Sequence, residues 1–435
     1  MAESMSPELL EVMERAKGPK FVFLSLAHLI DEAALTRAFH RIRKDAAVGV
    51  DGITKEQYGK ELESHVPDLH ERLRTMRWRH QPIRRVHIPK EKGKSRPIGI
   101  SAFEDKIVQE ALREVLEVIY EPLFRDFSYG FRKGRSAHDA LRALNQVLYQ
   151  GKGNWILELD VQSYFDSINR KMLMEMLRER VVDGSLLRLI GKCLHVGALD
   201  GEEYSEPDEG TAQGSVLSPI LGNIYLHHVL DVWFERDVLP RLRKKASLIR
   251  FADDGVIAFE CEDDARRVMA VIAKRFERYG LKLHPEKTRV VRFEQPRRCD
   301  PTGKGPGTFD FLGFTLFWRR SRRGHWVPRL KTRKARCRRF IVAVDEWCRC
   351  HRHDSTSEQH AALTRRIAGH FNYFGVNGNV PALLHVARAC EVVWHKWLNR
   401  RSQRSRLSWT RFGALLRSFP LPRAQVRVQL WQPAS

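Results

Sequence analysis

The chain has no apolar run long enough to span a bilayer, which takes roughly 20 consecutive apolar residues. It is also poor in cysteine. Seven occur among 435 residues (Cys193, Cys261, Cys299, Cys337, Cys348, Cys350 and Cys390), odd in number and irregularly spaced. That pattern argues against a disulfide framework and for a reducing compartment. The opening stretch MAESMSPELLEVMERAKG is acidic and amphipathic and lacks a continuous apolar core, so it reads as neither a secretory signal nor a transit peptide. There is no internal repeat and no long low-complexity tract. These absences predict a cytoplasmic protein without a membrane partner.

Acid is scarce at one end of the chain. The whole sequence carries 76 Lys and Arg against 53 Asp and Glu, a net charge of +23. From Arg319 onward about 25 basic residues face about 5 acidic ones, so nearly all of the excess lies there. A solubility charge would be spread evenly. A segregated one marks a module that grips a polyanion, and with no membrane features that polyanion is nucleic acid.

Short apolar runs alternate with helical periodicity through the first three quarters. Residues 28–48 read as a helix broken by Gly49-Val50-Asp51-Gly52. Ile83, Val86 and Ile88 mark short strands either side of the turn EKGKSR, and 103–120 has strong i, i+3, i+4 apolar spacing. WILELDV is a short strand, 216–234 a helix, SLIRFADDGVIAFE a hairpin, 263–279 a helix, and 288–293 a strand pair. FDFLGFTLFW and HWVPRL predict another hairpin, and beyond about 332 the pattern is helical. Strands mixed with helices, then helices alone, predict an α+β unit followed by an all-α one.

Two acidic positions stand out. Asp160 ends an apolar strand, and Asp253-Asp254 occupy the tip of the apolar hairpin. Adjacent carboxylates repel, and a pair on a tight turn needs solvent or a cation to relieve it. If the two strands are neighbours, three carboxylates converge on one face. Such hard oxygen ligands suit Mg²⁺, and two such ions about 4 Å apart support in-line phosphoryl transfer. The competing reading is an Asp-Gly turn and a strand-end cap; spacing alone does not choose between them.

The residues around these carboxylates resemble a known family. FADD between apolar strands is similar to the YxDD box of reverse transcriptases, LELDVQSYFDSI to their first acidic motif, and EGTAQGSVLSPILGNIYL to the loop and helix that follow. HIPKEKGKSRPIGISAFEDKIVQEAL and SYGFRKGRSAHDAL resemble the fingers blocks of bacterial group II intron-encoded proteins. LKLHPEKTRVVRF and FDFLGFTLF resemble their palm and grip blocks, and IAGHFNYFGVNGN their maturase or thumb region.

The resemblance implies a right-hand polymerase, α+β in its fingers and palm and followed by an all-α thumb/maturase domain. It implies an N-terminal helical extension over 1–27, fingers and palm over 28–318, and an RNA-binding thumb over 319–435. Asp160, Asp253 and Asp254 become metal ligands with the Val161 carbonyl, holding two Mg²⁺ ions. Phe165 stands where a bulky ring excludes a ribose 2′-hydroxyl. Lys90 and Arg96 hold the incoming dNTP triphosphate, which Arg can bind bidentately. Gln213 and Gly214 lie beside the nucleotide and template base. Lys287 either protonates the leaving pyrophosphate or is a surface lysine.

Phe251 replaces the usual Tyr of the box, and Ser215 stands where many group II proteins have Gly; neither touches a metal ligand. No Cys-pair and His-Asn-His block follows the thumb, so no cleavage of target DNA by the protein is expected.

WRRSRRGHWVPRLKTRKARCRRF interleaves base and aromatic residues. Arg319, Arg320, Arg322, Arg323, Lys331, Arg333, Lys334 and Arg336 are its expected phosphate contacts, with Trp318 and Trp326 either stacking on bases or packing in the hairpin. Ile367, Phe371 and Phe374 mark one packed helix face; Leu384, Val393, Trp394 and Trp397 mark another. Cys348, Cys350, His351 and His353 lack the spacing of a zinc site and fit a polar helix end better.

The expected partners are a group II intron RNA or other structured RNA template, a DNA primer or target, and dNTPs. The implied roles are stabilising the intron RNA for splicing and copying it into DNA for mobility. A domesticated polymerase in DNA repair or defence, or an RNA chaperone with a decayed polymerase site, are the alternatives. The carboxylates and the Lys90/Arg96 pair disfavour the chaperone.

Overall fold

A computed structural model of the chain describes residues 5–18, 20–89, 95–200, 203–205, 210–211, 214–296, 307–321, 323–402 and 406–431. Helices α1 (Pro7–Ala16), α2 (Glu32–Arg41), α3 (Lys55–Gly59) and α4 (Leu62–Arg74) precede the hairpin β1 (Ile83–Pro89) and β2 (Ser95–Ile100). Then come α5 (Phe103–Tyr120), α6 (Ala137–Tyr149), β3 (Trp155–Asp160), α7 (Arg170–Arg178), α8 (Gly184–Leu194), β4 (Ala198–Asp200), β5 (Glu203–Ser205) and α9 (Ser218–Leu226). The third stretch holds β6 (Ala246–Phe251), β7 (Asp254–Phe259), α10 (Glu262–Glu277), β8 (Arg289–Arg292), β9 (Phe309–Phe311), β10 (Phe314–Arg320) and β11 (Trp326–Thr332). Helices α11 (Lys334–Cys350), α12 (Thr356–Phe374), α13 (Val380–Leu398) and α14 (Trp409–Ser418) follow. The α+β unit and the helical region are as the alternation predicts.

The strands form three sheets, ordered β2-β1-β4-β5, β6-β7-β3-β8 and β11-β10-β9. The middle sheet explains its own sequence. Leu157, Leu159, Leu248, Ile257 and Phe259 enter one apolar core with α1, α2, α5 and α7 to α10. Ile156, Ile249, Val256 and Ala258 enter a second core with α6, the β9–β11 sheet and the C-terminal helices. Alternate residues point to opposite faces, and both faces are covered, so the strands read as nearly continuous apolar runs.

Helix α5 is buried almost all round rather than along one stripe. Its charged residues are matched to make that tolerable: Glu114 pairs with Arg41 at 2.6 Å, and Asp105 accepts from the Gln81 N–H at 3.0 Å.

Four expectations about elements need correction. The helix expected over 28–48 stops at Arg41, because Ile42 turns to extended backbone (ψ 134°) after the Asp31-capped α2. The helix expected over 216–234 is α9 followed by two π-helical turns, His227–Asp231 and Phe234–Val238. The strand pair expected near 288–293 is the single strand β8, whose partner is β3. Leu384 is 56% exposed and its neighbour Leu383 takes the core position. Ile367, Phe371, Phe374, Val393, Trp394 and Trp397 are buried as expected.

Candidate active site

Asp160 is the last residue of β3 and Asp254 the first of β7, and the antiparallel register sets them directly opposite each other. Phe251, the last residue of β6, faces Asp254 from the other side. Two residues, Ala252 and Asp253, close the β6–β7 hairpin. Ala252 has φ 56°, in the left-handed region where the first turn residue of such a hairpin is normally glycine. The chain therefore holds a strained turn at the point where its carboxylates gather.

Burial and mutual repulsion show in the acidity of the group. The Asp253 carboxyl is raised, first by burial and then by Asp160, with Arg96 and Arg250 opposing. Asp254 is pushed up to about 7 by burial first and by Asp253 second, against a hydrogen bond from the Leu312 N–H. Lys287 Nζ lies 2.9 Å from Asp160 Oδ2, a half-exposed pair.

Among the described residues no three His, Cys, Asp or Glu side chains already stand as a closed metal cluster. The donor set nonetheless fits a hard divalent cation. It consists of carboxylates that repel one another and are partly withdrawn from water, one of them already attracting an ammonium.

The other expected nucleotide contacts divide into three groups. Lys90 and Gln213 lie outside the described residues. Arg96 is exposed on β2, and its charge favours the ionised forms of both Asp253 and Asp166. Gly214 has φ +110° and packs so tightly on β2 that a Cβ there would sit 2.6 Å from the Gly99 carbonyl oxygen. Val161 is buried and bridges to Leu283. Phe165 sits half-buried in a 3₁₀ turn, 5.2 Å from the Tyr164 ring and against Gly222.

The expected phosphate contacts spread along the β10–β11 hairpin and into α11. Arg322 lies outside the described residues, and the remaining seven are exposed. Some are engaged within the protein: Arg333 pairs with Asp310 at 3.1 Å, Arg320 lies over the Trp326 ring and Lys331 over Phe317. Trp318 packs on Phe293 and donates to its carbonyl at 3.0 Å, so it belongs to the hairpin core. Arg336 reaches a cavity of about 480 Å³ beside Asp254, lined also by Arg339, Phe340, His370 and Tyr373. Cys348, at the end of α11, is buried while Cys350 is exposed, and the His351 ring stacks on Trp347 at 4.5 Å.

Sequence reading missed what holds the turn. Arg250, fully buried in β6, makes a two-point ion pair with Asp231 at 2.8 and 2.6 Å. Its remaining nitrogen donates to Asn223 Oδ1 at 3.1 Å and to the Ala252 carbonyl at 3.0 Å. Asn223 in turn donates to the Gly130 carbonyl at 2.7 Å. Gly130 lies flat on the hairpin, where a Cβ would fall 2.2 Å from the Ala252 nitrogen. The available signal was an arginine inside an otherwise apolar strand, which must find a buried partner.

The geometry agrees with what comparison of the sequence finds. Residues 88–316 match the model of the reverse transcriptase (RNA-dependent DNA polymerase) family. Protein YkfC of Escherichia coli is 32% identical over 326 residues, which is 66% of this chain and 81% of YkfC. Group II intron-encoded protein LtrA of Lactococcus lactis is 33% identical over 254 residues, 56% of this chain but 41% of LtrA. Nuclear intron maturase 4 of Arabidopsis thaliana is 34% identical over 122 residues, 28% of this chain and 15% of that protein. The chain thus spans most of YkfC and less than half of the intron-encoded relative LtrA. Among the described residues no helix is long and apolar enough to cross a membrane. The chain belongs to the reverse transcriptase family and is an RNA-directed DNA polymerase.

Proposed function

We propose that the chain copies RNA into DNA at Asp160, Asp253 and Asp254, and that it binds a group II-type intron RNA as a maturase. The fingers and palm would lie over 28–318, after an N-terminal extension over 1–27, and the RNA-binding thumb over 319–435. The observation that carries the reading is the direct cross-strand pairing of Asp160 with Asp254.

The three carboxylates, with the Val161 carbonyl, would hold two Mg²⁺ ions, which supply charge neutralisation and activation of a primer 3′-hydroxyl. Around them Arg96, with Lys90, clamps the triphosphate, and Phe165 closes the space a ribose 2′-hydroxyl would need. Gln213 and Gly214 would lie beside the nucleotide and template base. Lys287 would give a proton to the leaving pyrophosphate. Arg319, Arg320, Arg322, Arg323, Lys331, Arg333, Lys334 and Arg336 meet RNA phosphates, an electrostatic contact that weakens with salt. Splicing chemistry would belong to the RNA, and the protein's part would be to bind and stabilise its fold. Similarity to LtrA and to the maturase of Arabidopsis supports the intron reading.

The test is primer extension with a DNA primer annealed to an RNA template, dNTPs and Mg²⁺, comparing wild type with Asp253→Ala. Extension by wild type and none by the variant is expected. If neither extends the primer while both bind structured RNA tightly, RNA binding stands and the polymerase assignment fails.

A further inference from the structure

Phe131 is an aromatic residue in a conformation that aromatic residues rarely adopt. Its φ is 57° and it is 54% exposed. Turn geometry alone would favour glycine at such a position. Packing alone would bury the ring. Neither accounts for a phenylalanine that is both strained and open to solvent, and strain of this kind gathers at functional sites.

The residues on either side hold it there. Gly130 is pressed on Ala252, and its carbonyl is fixed by Asn223. Arg132 is buried and makes a two-point ion pair with Glu121, while its other nitrogen donates to the carbonyls of Arg125 and Ser128 at 2.7 and 2.8 Å. With 130 and 132 anchored, the position of residue 131 is fixed from both sides. Its ring stands edge-on to Phe165, with 6.5 Å between centroids and 62° between planes. Phe165 is backed by Gly222, where a Cβ would come within 3.0 Å of its ring.

We propose that Phe131 is a second wall of the pocket for the sugar of the incoming nucleotide, setting the preference for deoxyribose together with Phe165. The inference rests on the assignment of Phe165 above. Two hydrocarbon rings at an angle leave a 2′-hydroxyl without a hydrogen-bond partner once water is displaced, whereas a 2′-deoxy carbon loses nothing. Gly222 beneath and Phe131 beside prevent Phe165 from tilting away to admit the hydroxyl.

Single-nucleotide extension of a DNA primer on an RNA template tests this, read as the ratio of kcat/KM for dCTP to that for CTP. The proteins compared are wild type, Phe131→Gly, Phe131→Leu and Phe165→Ala. Phe131→Gly is expected to lower the ratio about tenfold, mainly by improved use of CTP, with Phe131→Leu between it and wild type. Glycine also relieves the positive φ, so its melting temperature should not fall; a merely structural role for the ring predicts a lower melting temperature and an unchanged ratio. If Phe165→Ala lowers the ratio and Phe131→Gly does not, the inference is overturned and the role of Phe165 stands. If neither lowers it, the assignment of Phe165 fails and the inference with it.

Discussion

Arg250 and Asp231 form a fully buried two-point ion pair directly behind the turn that carries Asp253 and Asp254. Removing one partner of such a pair leaves an unmatched buried charge, at a cost of about 3–5 kcal/mol. Asp231→Ala should therefore lower the melting temperature by several degrees. Replacing both together, Arg250→Met with Asp231→Leu, should recover most of that stability but not activity, since the donor to the Ala252 carbonyl is gone. Thermal melts and extension rates on the three proteins check this. Recovery of full activity in the double variant would show that the pair serves stability alone.

Gly130→Ala probes the same turn from its other side. The added Cβ meets backbone, not a flexible side chain, so the Ala252 turn must shift. A displacement near 1 Å at reacting groups costs on the order of 10²-fold in rate. The expected result is a kcat lower by about that factor with primer-template affinity within about twofold of wild type. Equal loss of both would point to general unfolding instead.

Lys287 and Asp160 form a half-exposed ion pair, so breaking it should change stability by about 1 kcal/mol or less. Proton donation to pyrophosphate predicts a larger effect on rate. Lys287→Ala should reduce kcat about 10²-fold or more, with an unchanged melting temperature. If extension by the alanine variant matches wild type, Lys287 is a surface lysine.

His370 lines the cavity beside Asp254 and stacks on Phe340 at 4.3 Å, and burial lowers its pKa to about 4 from 6.5. Below pH 6.5 the unfolded chain takes up a proton that the folded chain refuses, so this stability is complete above 6.5 and lost as pH falls toward 4. The loss amounts to about 3 kcal/mol at most. Melting temperatures of wild type at pH 7 and 4.5 should fall apart more widely than those of His370→Gln. Equal falls would place the acid sensitivity elsewhere, for example at His80 or His227, whose pKa values burial also lowers.

The candidate site was legible in the sequence as far as local chemistry reaches. Asp160 and Asp253-Asp254 stand out because carboxylates end or interrupt apolar strands. That β3 lies beside β7, with 160 opposite 254, is a pairing across almost a hundred residues, and no spacing rule supplies it. The partner of Arg250 hid for the same reason: an arginine within the apolar run of β6 calls for a buried partner, but only the fold brings Asp231 to it. Leu384 was misplaced because neighbouring helical positions differ by about 100° around the axis, so a one-residue slip trades an inner position for an outer one. The strand pair expected at 288–293 was one strand because its partner was distant β3. The boundary of α2 was missed because its last turn is fastened by tertiary contacts, Arg41 to Glu114, not by a local stop signal.

The central claim is that Asp160, Asp253 and Asp254 together hold the catalytic divalent ions. The most direct measurement replaces Mg²⁺ with Fe²⁺ and maps where the bound iron, with ascorbate and peroxide, cuts the polypeptide. Cuts clustered near 160 and 252–255, suppressed by excess Mg²⁺ and absent in Asp253→Ala, are predicted. Cuts elsewhere, or cuts at these positions that persist in Asp253→Ala and ignore Mg²⁺, would contradict it.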